Sequence, residues 1–425
     1  MTDTNISIAD IMQDLGRCAT SATKALRLAS AKQKERALRA MASEIRAAQA
    51  DIIDANKMDM DAAKIKGLSE AMLDRLALDA GRISGIAKGL EDIAALPEPV
   101  GQVDKTWTQP SGLEFSKVRV PIGVIGMIYE SRPNVTADAG GLCVKSGNAC
   151  ILRGGSESAR SNAAIHAALV KGLKSANLPE DAILMIPTTD RAAVGELLGG
   201  LNGAVDLIIP RGGKGLIARV QSDARVPVLA HLEGLCHSYI HAGADIEMAV
   251  DIVENAKLRR TGVCGSTETV LIDAAIADNV LPKLVKRLGE QGCEFKGNSA
   301  AQSIISDLTP ATAEDFATEY LAPMLNIAVV DDIDGALAHI EQFGSGHTDA
   351  IITHDAKAAQ TFLNNVDSAI VIHNASTQYA DGGEFGFGAE IGIATGRLHA
   401  RGPVGAEHLT TYKYQVRGSG QTRPK

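Results

Sequence analysis

The chain has 425 residues, too many for one ordinary core at roughly 150 residues per domain, so two or three domains are expected. Its composition, 45% hydrophobic, 22% charged and only 3% aromatic, is that of closely packed α/β layers, and a net charge of −9 without a long basic run argues against a nucleic-acid partner. The first ten residues lack a secretory apolar core and no stretch of about 18 apolar residues occurs, so the expectation is a cytoplasmic protein with no membrane segment.

In chain order, apolar residues at three- and four-residue spacing predict helices over 8–28, 31–58 and 69–90. They end before Leu96-Pro-Glu-Pro-Val100, where proline blocks continuation. Residues 107–120 alternate about a turn and read as a hairpin. Strand and helix patterns then alternate: 124–128, 137–145, 149–152, 158–175, 183–186, 191–199 and 205–209. Such alternation predicts a parallel sheet with crossover helices.

Sheets of this kind bind ligands beyond the carboxyl ends of their strands. Two loops there carry an arginine and flexible glycines: Arg153-Gly154-Gly155-Ser156 and Arg211-Gly212-Gly213. Both offer backbone amides and a cation to an anion. Neither is a GxGxxG fingerprint or a P-loop, which argues against an ordinary dinucleotide fold or a nucleoside triphosphatase.

A second βα segment runs from about Val226 to Ile372 and contains Cys264 in a small-residue loop, Thr-Gly-Val-Cys-Gly-Ser, with Arg259 and Arg260 upstream. Nearby cations favour the thiolate, the nucleophilic form. The other cysteines (18, 143, 150, 236 and 293) form no CxxC pair, which fits a reducing compartment, and Cys236-His237 sits in an apolar run, which makes it a core element rather than a dyad. Ten histidines show no ligand spacing, so no metal is expected. The tail is glycine-dense over 382–405, and the alternating residues 408–416 read as an edge strand seeking a partner.

Four segments together, Tyr129-Glu-Ser-Arg-Pro-Asn-Val135, Arg260-Thr-Gly-Val-Cys264, Gly344-Ser-Gly-His-Thr-Asp349 and the glycine-rich 382–405, resemble the γ-glutamyl phosphate reductase family, a branch of the aldehyde dehydrogenase superfamily. The likeness covers nearly the whole chain in order. It implies an α/β, aldehyde dehydrogenase-like fold: two parallel-sheet domains with a cleft between them, plus a small β oligomerisation flap. The cofactor-binding domain is expected over 1–106 and 121–229, the catalytic domain over 230–381, and a flap from 107–120 with 400–425, pairing across a subunit interface.

The resemblance also implies roles. Cys264 is the nucleophile and Asn134 the oxyanion donor. Glu319 holds the nicotinamide ribose, while Arg153, Gly154, Gly155, Ser156, Arg211, Gly212 and Gly213 hold the rest of the cofactor. A cation at Arg153, with serine at 156 where many relatives carry an acid, favours NADP(H) over NAD. Glu130, Arg132, His347, Thr348 and Asp349 are expected at the substrate. The implied reaction is the NADPH-dependent reduction of L-glutamyl 5-phosphate to the 5-semialdehyde, in proline biosynthesis, through a thioacyl enzyme. Implied partners are the small substrate, further copies of the chain and, transiently, glutamate 5-kinase.

One departure from the superfamily stands out. Hydrolytic members carry a Glu-Leu-Gly-Gly segment whose glutamate activates water, whereas the matching stretch is His231-Leu-Glu-Gly234, which puts His231, not Glu233, at the base position. A hydrolytic dehydrogenase, a zinc alcohol dehydrogenase and a non-catalytic scaffold are the competing readings.

Overall fold

In the computed structural model, which describes residues 7–423, Ser7 caps the first helix, Ile8–Leu28: its hydroxyl accepts the Asp10 amide, and the Asp10 carboxylate reaches back to Ser7. The helix expected over 31–58 is instead two, Ala31–Ala47 and Gln49–Ile65, jointed at Ala48 (φ −87°, ψ 10°). The 69–90 pattern likewise splits into Glu70–Leu76 and Ala80–Ala95, the second opened by Asp79, whose carboxylate accepts the Arg82 amide at 2.7 Å.

Two compact units emerge among the described residues, one from 7–230, 386–392 and 404–423, the other from 231–385 and 393–403. The first holds four parallel strands in the order Ile183–Met185, Ala149–Gly154, Val124–Tyr129, Leu207–Arg211. Helices pack on one another here at backbone distance, which explains why small residues replace aromatics. A Cβ on Gly172, in helix Ala159–Ser175, would lie 2.5 Å from the Met41 amide nitrogen, and Cβ atoms on Gly140 and Gly141 would lie 2.8 Å from Ile183 and Leu90 side chains. Gly172→Ala is therefore expected to destabilise this unit by about 1–3 kcal/mol, read as a lowered melting temperature. An unchanged melt would mean that the helices separate freely.

The same unit carries a three-stranded antiparallel sheet of Val103–Thr108, Glu114–Pro121 and Thr410–Arg417. Its last strand lies at the edge of this sheet and pairs within the chain on one side, so the expected pairing across a subunit interface concerns its other side. The ladder to its neighbour runs from Thr410 opposite Pro121 to Arg417 opposite Glu114. Trp107 stacks on Phe115 at 5.5 Å and meets the edge of Tyr414 at 5.9 Å, tying all three strands by their side chains.

The second unit is built on seven parallel strands, in the order Thr309–Pro310, Glu294–Gly297, Met324–Val330, Thr267–Asp273, Cys236–Ile240, Thr348–Ile352, Ile370–His373. Side chains alternate between its faces. Val270 and Ile272 enter a core with helices Ile246–Leu258 and Ala277–Gly289. Leu271 enters the opposite core with Tyr239, Ile351 and the helices Ile333–Phe343 and Ala356–Asn365. Among the described residues, no helix is long and apolar enough to cross a membrane.

Candidate active site

In the second unit the chemistry gathers at the amino ends of the strands. Residues 231–235 precede Cys236–Ile240, the Cys264 turn precedes Thr267–Asp273, residues 319–323 precede Met324–Val330, and residues 344–347 precede Thr348–Ile352. The carboxyl-end rule drawn from the sequence therefore does not describe this unit. Its thiol follows a crossover helix instead of a strand.

Cys264 lies in a turn closed by the Ser266 amide on the Val263 carbonyl at 3.0 Å, and it is partly exposed. The residues beside its sulfur are histidines. Donor atoms of His231, Cys264 and His347 all lie within 4.8 Å of one another, and the two imidazoles cross edge to face at 5.1 Å. Arg259, expected to favour the thiolate, donates instead to the Gln378 side chain at 3.3 Å.

The loop before Cys236 presses on the nucleophile's backbone. A Cβ on Gly234 would stand 2.0 Å from the Cys264 carbonyl oxygen. The Gly234 amide donates to Glu319 at 3.0 Å, the Leu235 amide donates to Ser345 at 2.9 Å, and the Cys236 thiol donates to the Cys264 carbonyl at 3.1 Å. Burial pushes the Cys236 thiol well up, so it stays a protonated donor. Gly234→Ala must displace this loop or the thiol by about 1 Å, and kcat is expected to fall about a hundredfold. Unchanged steady-state turnover would refute the contact's importance.

Of the residues expected at the substrate, His347 is at the thiol and two others are corrected. Thr348 is buried and its hydroxyl bonds the His347 ring at 2.9 Å, so it supports that ring and lines no open pocket. Asp349 is fully buried, and its carboxylate takes the His237 amide at 3.0 Å, the His237 ring at 2.8 Å and the Ser368 hydroxyl. The same pair disposes of a Cys236–His237 dyad. Beneath the turn, the buried Lys257 ammonium meets Glu268 at 2.7 Å, and Glu268 also accepts the Leu321 amide beside Glu319. The sequence reading missed this pair, because a lysine on a helix and a glutamate on a strand give no motif.

In the first unit, the two basic glycine-rich turns do follow their strands, Ala149–Gly154 and Leu207–Arg211, which flank Val124–Tyr129 on either side. Helix Lys214–Asp223 begins at Gly213 with no side-chain cap, and a Cβ at Gly213 or Gly215 would meet nothing. A helix N-terminus of this kind attracts an anion. The Glu130 carboxylate lies over this turn: it accepts the Gly213 amide at 3.0 Å, and a Cβ on Gly212 would collide with it.

Arg153 is only 9% exposed and donates to the Gly154 and Thr189 carbonyls. Ser156 is exposed, while the adjacent acid, Glu157, is occupied by the amide and hydroxyl of Ser131 at 2.6 and 3.0 Å. Those bonds hold Ser131 in the left-handed region (φ 48°), a strained turn between Glu130 and Arg132. Asn134 follows at the start of helix Val135–Lys145 and donates to Asp138 at 2.8 Å. Burial pushes the Asp138 carboxyl up to about 6 against the opposing effects of Asn134 and Arg211.

Comparison with known proteins gives the family. Residues 8–294 match the aldehyde dehydrogenase family model. The gamma-glutamyl phosphate reductase of Hyphomonas neptunium is 62% identical over 418 residues, 98% of each chain, and that of Caulobacter vibrioides is 60% identical over 97% of this chain and 100% of its own. The crystal structure of gamma-glutamyl phosphate reductase from Thermotoga maritima superposes with a TM-score of 0.95 at 42% identity, over 98% of this chain and 100% of that one. With a thiol turn and basic glycine-rich turns on two parallel sheets, and relatives alike from end to end, the chain belongs to the aldehyde dehydrogenase family, in its γ-glutamyl phosphate reductase branch.

Proposed function

We propose that the protein reduces L-glutamyl 5-phosphate to L-glutamate 5-semialdehyde and phosphate, in proline biosynthesis, through a thioacyl intermediate on Cys264. The end-to-end likeness to gamma-glutamyl phosphate reductases carries this reading. The Cys264 thiolate attacks the C5 acyl carbon, a sulfur–carbon bond forms, and the phosphate leaves with the electrons of its carbon–oxygen bond. NADPH, when bound, supplies the hydride that reduces the thioester. Collapse of the thiohemiacetal breaks the carbon–sulfur bond and restores the thiolate. The Cys264 amide and Asn134 stabilise the developing oxyanion, and Arg132 takes the substrate carboxylate or phosphate. His231 stands beside the thiol where hydrolytic relatives carry a glutamate, in keeping with phosphate in place of water as the acyl acceptor.

The turns of the first unit fit a dinucleotide. The N-terminus of the helix after Gly213 suits a diphosphate, with Arg211 at the same turn, once Glu130 yields the Gly213 amide. Arg153 and Ser156 sit at the other turn, where the Glu157 carboxylate is bonded to Ser131. Ser156→Asp places an acid there at an exposed position, and it is expected to raise KM for NADP(H) roughly tenfold while leaving NAD(H) little changed. Equal effects on both cofactors would refute the assignment. Further copies of the chain are expected to pack on the three-stranded sheet, whose last strand leaves Tyr412, Tyr414 and Val416 about half exposed.

The reaction run backwards tests the whole reading: reduction of NADP by glutamate 5-semialdehyde with and without inorganic phosphate. Strict phosphate dependence is the expected result. Turnover without phosphate, releasing glutamate, overturns it in favour of a hydrolytic dehydrogenase.

A further inference from the structure

We propose that His231, Cys264 and His347 form a site for a thiophilic divalent cation, zinc above all, and that its occupancy blocks the nucleophile reversibly. Their donor atoms already lie within 4.8 Å of one another. A tetrahedral zinc, with bonds of about 2.1 Å to nitrogen and about 2.3 Å to sulfur, holds donors about 3.3–3.6 Å apart. Closing the set asks for movements of about 1 Å, which a side-chain rotation at the partly exposed Cys264 supplies.

The chemistry of the donors selects the ion. Two imidazoles and a thiolate suit zinc or cobalt and not magnesium, calcium or manganese, which prefer oxygen. His231 has the tautomer a ligand needs. Its Nδ1 lies 2.9 Å from the Ile393 carbonyl, which can only accept, so Nδ1 carries the proton and Nε2 presents a lone pair. The His347 ring is oriented by the Thr348 hydroxyl at 2.9 Å, and the Cys264 backbone is fixed by the Cys236 thiol. Three protein ligands leave a fourth position for water. No motif announces the site, because residues 231, 264 and 347 meet only through the order of the strands.

Binding stands on this geometry alone, whereas the inhibition rests on Cys264 being the nucleophile. The intact protein is titrated with cobalt(II), reading thiolate-to-metal charge transfer and tetrahedral ligand-field bands, then with zinc to displace it. In parallel, alkylation of Cys264 by iodoacetamide is followed by mass spectrometry. The expected result is one ion per chain, alkylation slowed about tenfold at free zinc near ten times Kd, and reversal by a chelator. The charge-transfer band should vanish in Cys264→Ala, and affinity should fall in His231→Ala with the circular dichroism unchanged. Undiminished alkylation under saturating zinc, or a charge-transfer band that survives Cys264→Ala, overturns the site and leaves the enzymatic reading standing. Occupancy of the thiol with undiminished turnover overturns the inhibition and the nucleophile together.

Discussion

Cys264→Ala is expected to lower phosphate-dependent turnover in both directions at least about ten-thousandfold, the scale on which nucleophile removal acts in enzymes that work through a covalent acyl intermediate. The fold should survive, because the side chain is small, partly exposed and carried on a turn closed by backbone groups. Cofactor binding should survive too, since the glycine-rich turns belong to the other unit. Nucleophile loss then appears in kcat, with the melting temperature and the cofactor's bound fluorescence unchanged. Cys264→Ser is expected to be nearly as inactive, because a serine hydroxyl is scarcely ionised at neutral pH. Retention of more than about one part in a hundred of the activity would exclude a thioacyl mechanism at this residue.

Lys257→Met carries the largest expected effect on stability. Its ammonium and the Glu268 carboxylate are both buried and 2.7 Å apart, and removing one partner of such a pair costs about 3–5 kcal/mol. The loss should depend on pH. Burial pushes Glu268 up to about 7, with Lys257 opposing the shift. A carboxyl whose folded pKa exceeds its unfolded value, about 4.3, contributes stability that is complete below that value and lost as pH rises through the folded one. Without Lys257 the charged form is less tolerable still. The fall in melting temperature should therefore be larger at pH 8.5 than at pH 5.5, where the native carboxyl is already protonated. A deficit equal at both values would mean that the cost lies in packing and not in charge. Because Glu268 accepts the Leu321 amide, the variant should also loosen the Glu319 segment.

Much of the architecture is legible in the chain. The first helix is readable to the residue because Ser7 and Asp10 form a capping box ahead of an apolar stripe of Met12, Ala19 and Leu26. The joint at Ala48 is not, since neither proline nor glycine marks it and alanine suits the helix on both sides. Strands of two residues, such as Ile393–Ala394 and Gly402–Pro403, are too short to alternate. Cys264 was visible from its own loop, whereas the convergence of His231 and His347 upon it was not. It depends on Cys236–Ile240 pairing with a strand that begins more than a hundred residues later. Asp349 shows the opposite error. A charged residue two places beyond a functional histidine is spent instead on His237 and Ser368, which lie far from it in the chain.

The closing strand of the three-stranded sheet bears on how the chain folds during synthesis. Hairpin 103–121 is made before the second unit, but its third strand, Thr410–Arg417, only after it. The buried Asn148 amide similarly waits for the Leu409 carbonyl, 261 positions on. The second unit is drawn from residues 231–385 and 393–403, ahead of that strand. The unit begun first is thus completed after the other has been made, and the open edge of the hairpin must be kept from strange strands until then.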